Sequence, residues 1–389
     1  MSARPKRPLS QVVTETDRRF IDAALRLGRT MQGRAWPNPA VGTIVVQTGS
    51  DGTPVVVGRG ATGEGGRPHA EEIALDQAGD AARGASVYVS LEPCAHRNRP
   101  GVAPCSNRLI QAGVARVFAA VQDPNPSIHG RGFDRLRDAG IEVIDDVAPL
   151  AGGRAHSGHF NRMSSNRPHV TLKLAVSADG MIGLKGGGQI PITGTEARCW
   201  VHRMRADADA ILVGVGTVIA DDPMLDCRLD GLAARSPVRV VFDTYARTPP
   251  ASQLAKTAYR LPTWVVTAPV VDPDRLSVLA GTRIELLQAP IIIGPREDHV
   301  NPTKALKVLA DRGITRVMVE GGSRVAATLL KANLVDEFAL FTSRKTLGQD
   351  GIAAISGLSL QQELTKSFSQ IDERRVGDDR LQVFWRRNN

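Results

Sequence analysis

The 389-residue sequence predicts an α/β protein of two unlike domains. Three observations predict it. Short β-branched runs alternate with segments of helical periodicity along most of the chain. The alternation stops in a polar stretch near the middle and then restarts. The length suits two or three domains at roughly 100–200 residues each.

The elements follow in order. Residues 17–31 read as a helix, with Phe20, Ala23, Ala24 and Leu27 on one face. After the turn Pro37-Asn38-Pro39, 41–47 and 54–59 read as strands joined by a polar turn with Gly49, Ser50 and Gly52. A helix at 70–78 precedes a strand at 85–91, which ends just before Glu92-Pro93-Cys94. Helices at 106–112 and 132–138 alternate with strands at 115–121 and 141–144. Residues 148–168 are polar, carry Gly152 and Gly153 side by side, and read as a helical or loop connector. The second half opens with a strand at 170–177 running into Ala178-Asp179-Gly180. Helices are expected at 196–205, 302–311 and 325–333, and strands at 210–213, 238–243, 264–267 and 316–320. The alternating segments 337–342 and 381–385 predict an antiparallel pair. No internal repeat is visible.

Composition narrows the function classes. Hydrophobic residues make up 42% and charged residues 23%, as expected for a folded soluble chain. No apolar run of about 18 residues exists. The longest candidate, 210–220, is interrupted by Gly214 and Gly216. Arg4, Lys6 and Arg7 precede a polar segment at 11–17, where a secretory signal needs its apolar core, so a cytoplasmic enzyme is expected. The net charge of +9 suits nucleic acid or phosphorylated small molecules, and equally a solvated arginine-rich surface. Aromatic residues at 4% argue against base stacking on single strands, so nucleic acid is not the expected partner. Four cysteines are too few for a disulfide scaffold and fit metal ligands or buried thiols. Cys199 and Cys227 have no ligand spacing and read as structural or free thiols.

The sharpest signal is His69-Ala70-Glu71, followed by Pro93-Cys94 and Pro104-Cys105. This is the ligand pattern of zinc deaminases. One imidazole and two thiolates hold Zn²⁺ and leave a fourth position open for water, whose pKa the metal lowers. Glu71, two residues after the histidine, reaches that water without ligating the metal and acts as the proton carrier. A core histidine with two buried thiols is the bland alternative. Cys94 and Cys105 stand eleven positions apart, and His96 is a second candidate for the third ligand.

In the second half, Glu320-Gly321-Gly322-Ser323 lies between a strand and a helix, where glycines let backbone N–H groups approach a phosphate. Gly214-Val215-Gly216-Thr217 gives another tight strand-to-helix turn, but its continuation breaks the dinucleotide fingerprint of a standard Rossmann fold.

From about Glu15 onward the chain resembles the bifunctional riboflavin-biosynthesis deaminase–reductase family. The first half shares Pro37-Asn38-Pro39-Ala40-Val41-Gly42, His69-Ala70-Glu71, Leu91-Glu92-Pro93-Cys94 and Gln122-Asp123-Pro124-Asn125-Pro126. The second shares Lys173 to Gly180, Arg203 to Ile211, Gly216 to Leu225 and Val319-Glu320-Gly321-Gly322. The resemblance implies a cytidine-deaminase-like three-layer α/β/α domain at 15–147, a linker at 148–167 and a dihydrofolate-reductase-like α/β domain at 168–387. It implies one Zn²⁺ per chain, NADPH, a phosphorylated pyrimidine substrate and a homodimer. Asn38, Asp123 and Asn125 would meet the deaminase substrate. Ala175, Thr217, Asp221, Thr244, Gly322, Ser323 and Arg324 would meet the cofactor. Lys173, Arg205, Leu225, Arg228 and Glu320 would meet the reductase substrate, with arginine forks on its phosphate. Arg247 is a candidate for the 2′-phosphate of NADPH. The chain departs from the family at Met181, Pro191 and Asp226, and in the loop carrying Arg97 and Arg99. The competing readings are a nucleic-acid base deaminase with a non-catalytic basic C-terminal half, and a lapsed regulatory protein that keeps zinc structurally.

Overall fold

Thr14 starts the first helix, α1 (Glu15–Arg29), two residues ahead of the predicted start. Its hydroxyl accepts from Asp17 N at 3.1 Å, and the Asp17 carboxylate accepts from Thr14 N at 2.9 Å. This reciprocal cap satisfies two of the donors that a helix start leaves open. The computed structural model describes residues 13–96, 101–186, 190–294 and 298–387. The chain forms two compact units, Met1–Ser165 and Asn166–Asn389.

In the first unit α1 is followed by β1 (Gly42–Thr48), β2 (Pro54–Ala61), α2 (Ala70–Ala78), β3 (Ser86–Val89), α3 (Cys105–Ala112), β4 (Arg116–Ala119), α4 (Arg131–Asp138) and β5 (Glu142–Ile144). The five strands pair in the order β2-β1-β3-β4-β5. β1 is antiparallel to both neighbours, and β3, β4 and β5 run parallel. Side chains alternate across this sheet as the strand period requires. Ile44, Val46, Tyr88 and Phe118 pack with Ile21 and Ala24 of α1 on one face. Val45, Val87, Val89 and Val117 pack with Ala74, Leu109 and Phe133 of the other helices on the opposite face. The result is three layers, α/β/α. Helix α2 lies against bare backbone of β2. A Cβ on Gly58 would stand 2.2 Å from Ala74 O, and one on Gly60 2.2 Å from Ala70 O. The segment read as a connector holds two helices, α5 (Pro149–Ala155) and α6 (Ser157–Ser165).

The second unit runs β6 (His169–Val176), β7 (Met181–Leu184), α7 (Thr195–Asp207), β8 (Ala210–Gly214), α8 (Val215–Asp221), β9 (Val238–Phe242), α9 (Gln253–Lys256), β10 (Thr263–Thr267), α10 (Pro273–Ala280) and β11 (Glu285–Gln288). It continues with β12 (Ile291–Ile292), β13 (His299–Val300), α11 (Pro302–Asp311), β14 (Arg316–Glu320), α12 (Ser323–Lys331), β15 (Glu337–Thr342), β16 (Gly351–Ala353), α13 (Leu360–Ser367), β17 (Phe368–Val376) and β18 (Asp379–Arg386). Nine strands pair in the order β11-β10-β9-β8-β14-β6-β15-β18-β17. The pairs from β11 to β15 are parallel, and β15, β18 and β17 are antiparallel. β8 is buried at every position, as a parallel strand covered on both faces must be. The Gly214–Thr217 turn continues directly into α8. β17, with Asp372, Glu373, Arg374 and Arg375, was not predicted; its polar sequence suits an exposed sheet edge.

The amino ends of β6 and β15 are held by partly buried charges around the buried His169. Arg167 makes two hydrogen bonds to Asp336, at 2.6 and 2.7 Å, and Val170 N donates to the same carboxylate at 2.8 Å. His169 Nε2 lies 3.1 Å from Glu337. The carboxyl ends of the parallel strands face the other way, and both chemistry-bearing clusters of this unit lie there.

Candidate active sites

In the first unit three elements bring the ligand candidates together. His69 is the N-cap of α2, and its backbone N–H donates to Glu72 at 2.7 Å. Glu72 is in turn held by Arg108 at 3.0 Å. Cys94 follows β3, and Cys105 is the first residue of α3. His69 Nδ1 lies 3.3 Å from Cys105 Sγ and 3.7 Å from Cys94 Sγ, and the three ligand atoms all lie within 4.8 Å of one another. Two sulfurs and one imidazole nitrogen at these separations suit the tetrahedral preference of Zn²⁺. Among the described residues no other group of three or more such side chains is close enough to share an ion. His96 is exposed and lies outside the cluster. Arg97 and Arg99 fall outside the described residues.

The Cys94 thiol is electrostatically prepared. A hydrogen bond from Cys105 holds the Cys94 thiol far below its ordinary range; burial opposes this, and His69 adds to it. Cys105 N also donates to Cys94 Sγ at 3.3 Å. Glu71 is 3% exposed, and burial pushes its carboxyl up, with nearby His69 opposing.

The predicted substrate residues of this half lie on segments that hold one another. Asn38 Nδ2 donates to Gly66 O at 3.3 Å. Asp123 Oδ1 accepts from Asn125 N at 2.8 Å and lies 3.0 Å from His159 Nε2. Glu92 is buried, and its two oxygens accept from the backbone N–H groups of Asp123, Gly130 and Gly132. Burial lifts its carboxyl to about 6 against the pull of those three bonds. Sequence reading missed His159 and the role of Glu92. Neither had a spacing that ties it to the cluster, although Glu92 stands beside Cys94 in a quoted motif.

The second unit has two clusters. One is a cleft of about 1070 Å³ lined by Thr217, Asp221, Thr244, Gly322, Ser323 and Arg324, together with Arg247. That volume lies just above the range of about 300–1,000 Å³ usual for ligand pockets, which suits a large ligand such as a dinucleotide. Gly321 and Gly322 have φ of 76° and 80°, a left-handed backbone that lets α12 begin at the cleft wall. A Cβ on Gly214 would stand 2.7 Å from Val325 Cγ2. The N-terminus of α12, with Arg247 and Arg324, supplies donors for phosphates. Ala175 does not line this cleft; it pairs with Phe341 in the sheet and packs against the core beneath α7.

The other cluster gathers Lys173 of β6, Arg205 of α7, Glu320 of β14 and the 225–228 loop. Arg205 Nε and Nη2 bond the two Glu320 oxygens at 2.6 and 3.0 Å, and its Nη1 donates to Asp226 O at 2.8 Å. Lys173 Nζ stands 3.7 Å from Glu320. Burial pushes the Glu320 carboxyl up, but Arg205 and Lys173 override it and hold it at about 2. The Arg205 fork is therefore engaged by a protein carboxylate, not free as expected for a phosphate. Leu225 is buried at φ 51°, and Arg228, more exposed, lies 3.3 Å from Asp226.

The departures also have places. Met181 begins β7 and packs over Gly351 of β16, where a Cβ would meet Met181 Cγ at 2.4 Å. Pro191 O accepts from Lys345 Nζ at 2.6 Å. Asp226 contributes its carbonyl to Arg205 and lies 3.2 Å from His202 Nδ1 through the same oxygen.

A cysteine–histidine metal cluster with a buried glutamate, joined to a glycine-bounded cleft at the end of a parallel sheet, defines a two-part deaminase and reductase. Comparison with known proteins agrees. Residues 14–121 match the cytidine and deoxycytidylate deaminase zinc-binding region, and 168–377 match the RibD C-terminal domain. The riboflavin biosynthesis protein RibD of Haemophilus influenzae is 37% identical over 376 residues, covering 92% of this chain and 95% of that protein. RibD of Escherichia coli is 34% identical, covering 93% and 97%. Among solved structures, Acinetobacter baumannii RibD superposes with a TM-score of 0.81 at 29% identity, over 96% of this chain and 99% of that one. The Thermotoga maritima diaminohydroxyphosphoribosylaminopyrimidine deaminase/5-amino-6-(5-phosphoribosylamino)uracil reductase gives 0.79 at 30%, over 95% and 99%. The chain belongs to the RibD family of riboflavin biosynthesis enzymes. It is bifunctional, with a cytidine-deaminase-like zinc domain and a dihydrofolate-reductase-like NADPH domain. No helix among the described residues is long and apolar enough to cross a membrane.

Proposed function

We propose that the chain removes the 2-amino group of 2,5-diamino-6-(5-phosphoribosylamino)pyrimidin-4-one and then reduces the ribosyl side chain to ribityl. The observation that carries this reading is Glu71, buried two residues after the His69 of a histidine–cysteine cluster. A purely structural metal site has no use for that carboxylate.

We assign deamination to 15–147, with 148–167 as linker, and reduction to 168–387. His69, Cys94 and Cys105 would hold the zinc, which when bound supplies Lewis acidity that brings the pKa of water toward neutrality. Glu71 takes one proton from the attacking water and gives it to the ring nitrogen, then takes the second from the newly added hydroxyl and gives it to the departing amine. The C–N bond breaks, ammonia leaves, and the carbon that bore the amino group becomes a carbonyl. Asn38, Asp123 and Asn125 orient the pyrimidine. In the second half NADPH, when bound, would supply the hydride for C1 of the ring-opened, imine-like ribosyl chain; with a proton from solvent on the nitrogen, C1 becomes the amine-bearing CH₂ of the ribityl chain. Thr217, Asp221, Thr244 and the Gly322–Arg324 turn hold that cofactor. Lys173, Arg205, Leu225, Arg228 and Glu320 align the sugar. Arg228, the more exposed cation of this group, is the one placed to exchange its ion pair with Asp226 for a phosphate. The resemblance supports a homodimer in the cytoplasm, which sedimentation and fractionation would test.

The decisive experiment is one assay with two readouts, ammonia release and NADPH consumption. Glu71→Ala should abolish ammonia release while NADPH consumption on supplied deaminated substrate continues, and Asp221→Ala should weaken only the NADPH consumption. Retention of ammonia release in Glu71→Ala would overturn the deaminase assignment.

A further inference from the structure

Glu92 is 4% exposed and takes no part in the proton transfers assigned above. Its carboxylate nevertheless reaches three backbone donors of one neighbouring segment. Oε2 accepts from Asp123 N at 3.2 Å and Gly130 N at 3.0 Å, and Oε1 accepts from Gly132 N at 3.0 Å. Gly130 caps α4 and Gly132 lies in its first turn, so the carboxylate occupies the positive end of that helix from a different element. The Glu92 backbone N–H donates to Val121 O at 3.0 Å. The fit is close: a Cβ on Gly132 would stand 2.0 Å from Pro93 O.

The segment held in this way carries Asp123 and Asn125, which are bonded to each other, and Asp123 is braced by His159. Two residues after Glu92, the same turn delivers Cys94 to the ligand cluster. One side chain thus sets the 122–132 loop in register with the metal-binding turn. We infer that Glu92 is a positioning residue of the deaminase, fixing the substrate loop against the zinc ligands and so setting the affinity for the pyrimidine. This rests on the proposed substrate roles of Asp123 and Asn125. Glu92→Gln keeps the shape but turns an amide N–H₂ toward at least one backbone N–H, leaving buried donors facing each other.

The test uses the full chain. Deaminase kcat and KM are measured by ammonia release, zinc by metal analysis, and reductase activity by NADPH consumption on the deaminated substrate. In Glu92→Gln, KM should rise about tenfold or more with kcat within about threefold, the pattern of lost binding without lost chemistry. Zinc should stay at one per chain and reductase activity should be unchanged. The double variant Glu92→Gln/Asn125→Ala should raise KM no further than Asn125→Ala alone, because both act through one loop. An unchanged KM in Glu92→Gln, additive effects in the double variant, or loss of zinc or of folded chain would each overturn the inference. Wild-type KM in both Asn125→Ala and Asp123→Asn would instead overturn the substrate reading of the loop, whatever Glu92 does.

Discussion

In the first unit an imidazole and two thiols face one another around a point within 4.8 Å, with the proton-carrying carboxylate buried beside them. In the second, Lys173 and Arg205 already close on Glu320, and the carboxylate is held at about 2 by them. The first cluster is built around a charge that must come from outside. The second is compensated before any ligand arrives. The two halves should therefore fail differently: the deaminase abruptly when one ligand goes, the reductase by degrees.

The largest effect is expected at the metal. Cys94→Ser or a chelator should remove zinc and all ammonia release while NADPH consumption on the deaminated substrate continues; His96→Ala should keep the metal. Zinc retained in Cys94→Ser would break the comparison at its first term. Next, Glu71→Gln should keep zinc and lower deaminase kcat by about 10³- to 10⁴-fold, at the upper end of the range for general acid–base catalysis.

Third, the Arg167–Asp336 pair tests stability without touching either site. Asp336→Asn should destabilise the second unit by about 1.5–3 kcal/mol, measured by urea unfolding, because a partly buried cation loses its charge-assisted bonds. Burial pushes the Asp336 carboxyl up, but the bonds from Arg167 and the charge of His169 hold it below its ordinary range, and Glu337 behaves likewise through His169. A carboxyl depressed in the folded state binds fewer protons there than in the unfolded chain. Its stabilisation is present above the ordinary carboxylate range and is lost as pH falls through the depressed values. Unfolding midpoints measured from about pH 7 down to about pH 3 should fall less steeply in Asp336→Asn than in the parent chain. Parallel curves would exclude the pair as the source.

Fourth, Arg205→Ala should cost about 1.5–3 kcal/mol in reductase kcat/KM, roughly 10- to 150-fold, since it leaves Glu320 charged and half-partnered. Zinc and ammonia release should not change. The smallest effect is at the cleft rim. Arg247→Ala should narrow the preference for NADPH over NADH by about tenfold, the worth of one charge-assisted contact. An unchanged ratio would remove Arg247 from the 2′-phosphate site.

The contrast also explains what the sequence revealed. Zinc chemistry admits few residue types, so His69, Glu71, Cys94 and Cys105 announce themselves by type and spacing. The eleven-residue gap between the cysteines left His96 open, and folding separates the two, because Cys105 opens a helix aimed at the cluster while His96 stays exposed. The central strands of the second unit were legible because burial on both faces makes them continuously apolar. β17 was not, because an edge strand with one wet face has no such run. The Arg205–Glu320 fork could not be read either. The residues are 115 positions apart, and only the crossover that lays β14 beside β6 brings them together.

Helix α2 rests on Gly58 and Gly60 with no room for a methyl group at either. The imidazole at its tip is thus located by main chain touching main chain, without a flexible side chain between. A centre registered in that way does not drift when the surrounding core is repacked. An alanine at either position would lever the whole helix, and the ligand with it, away from the two sulfurs.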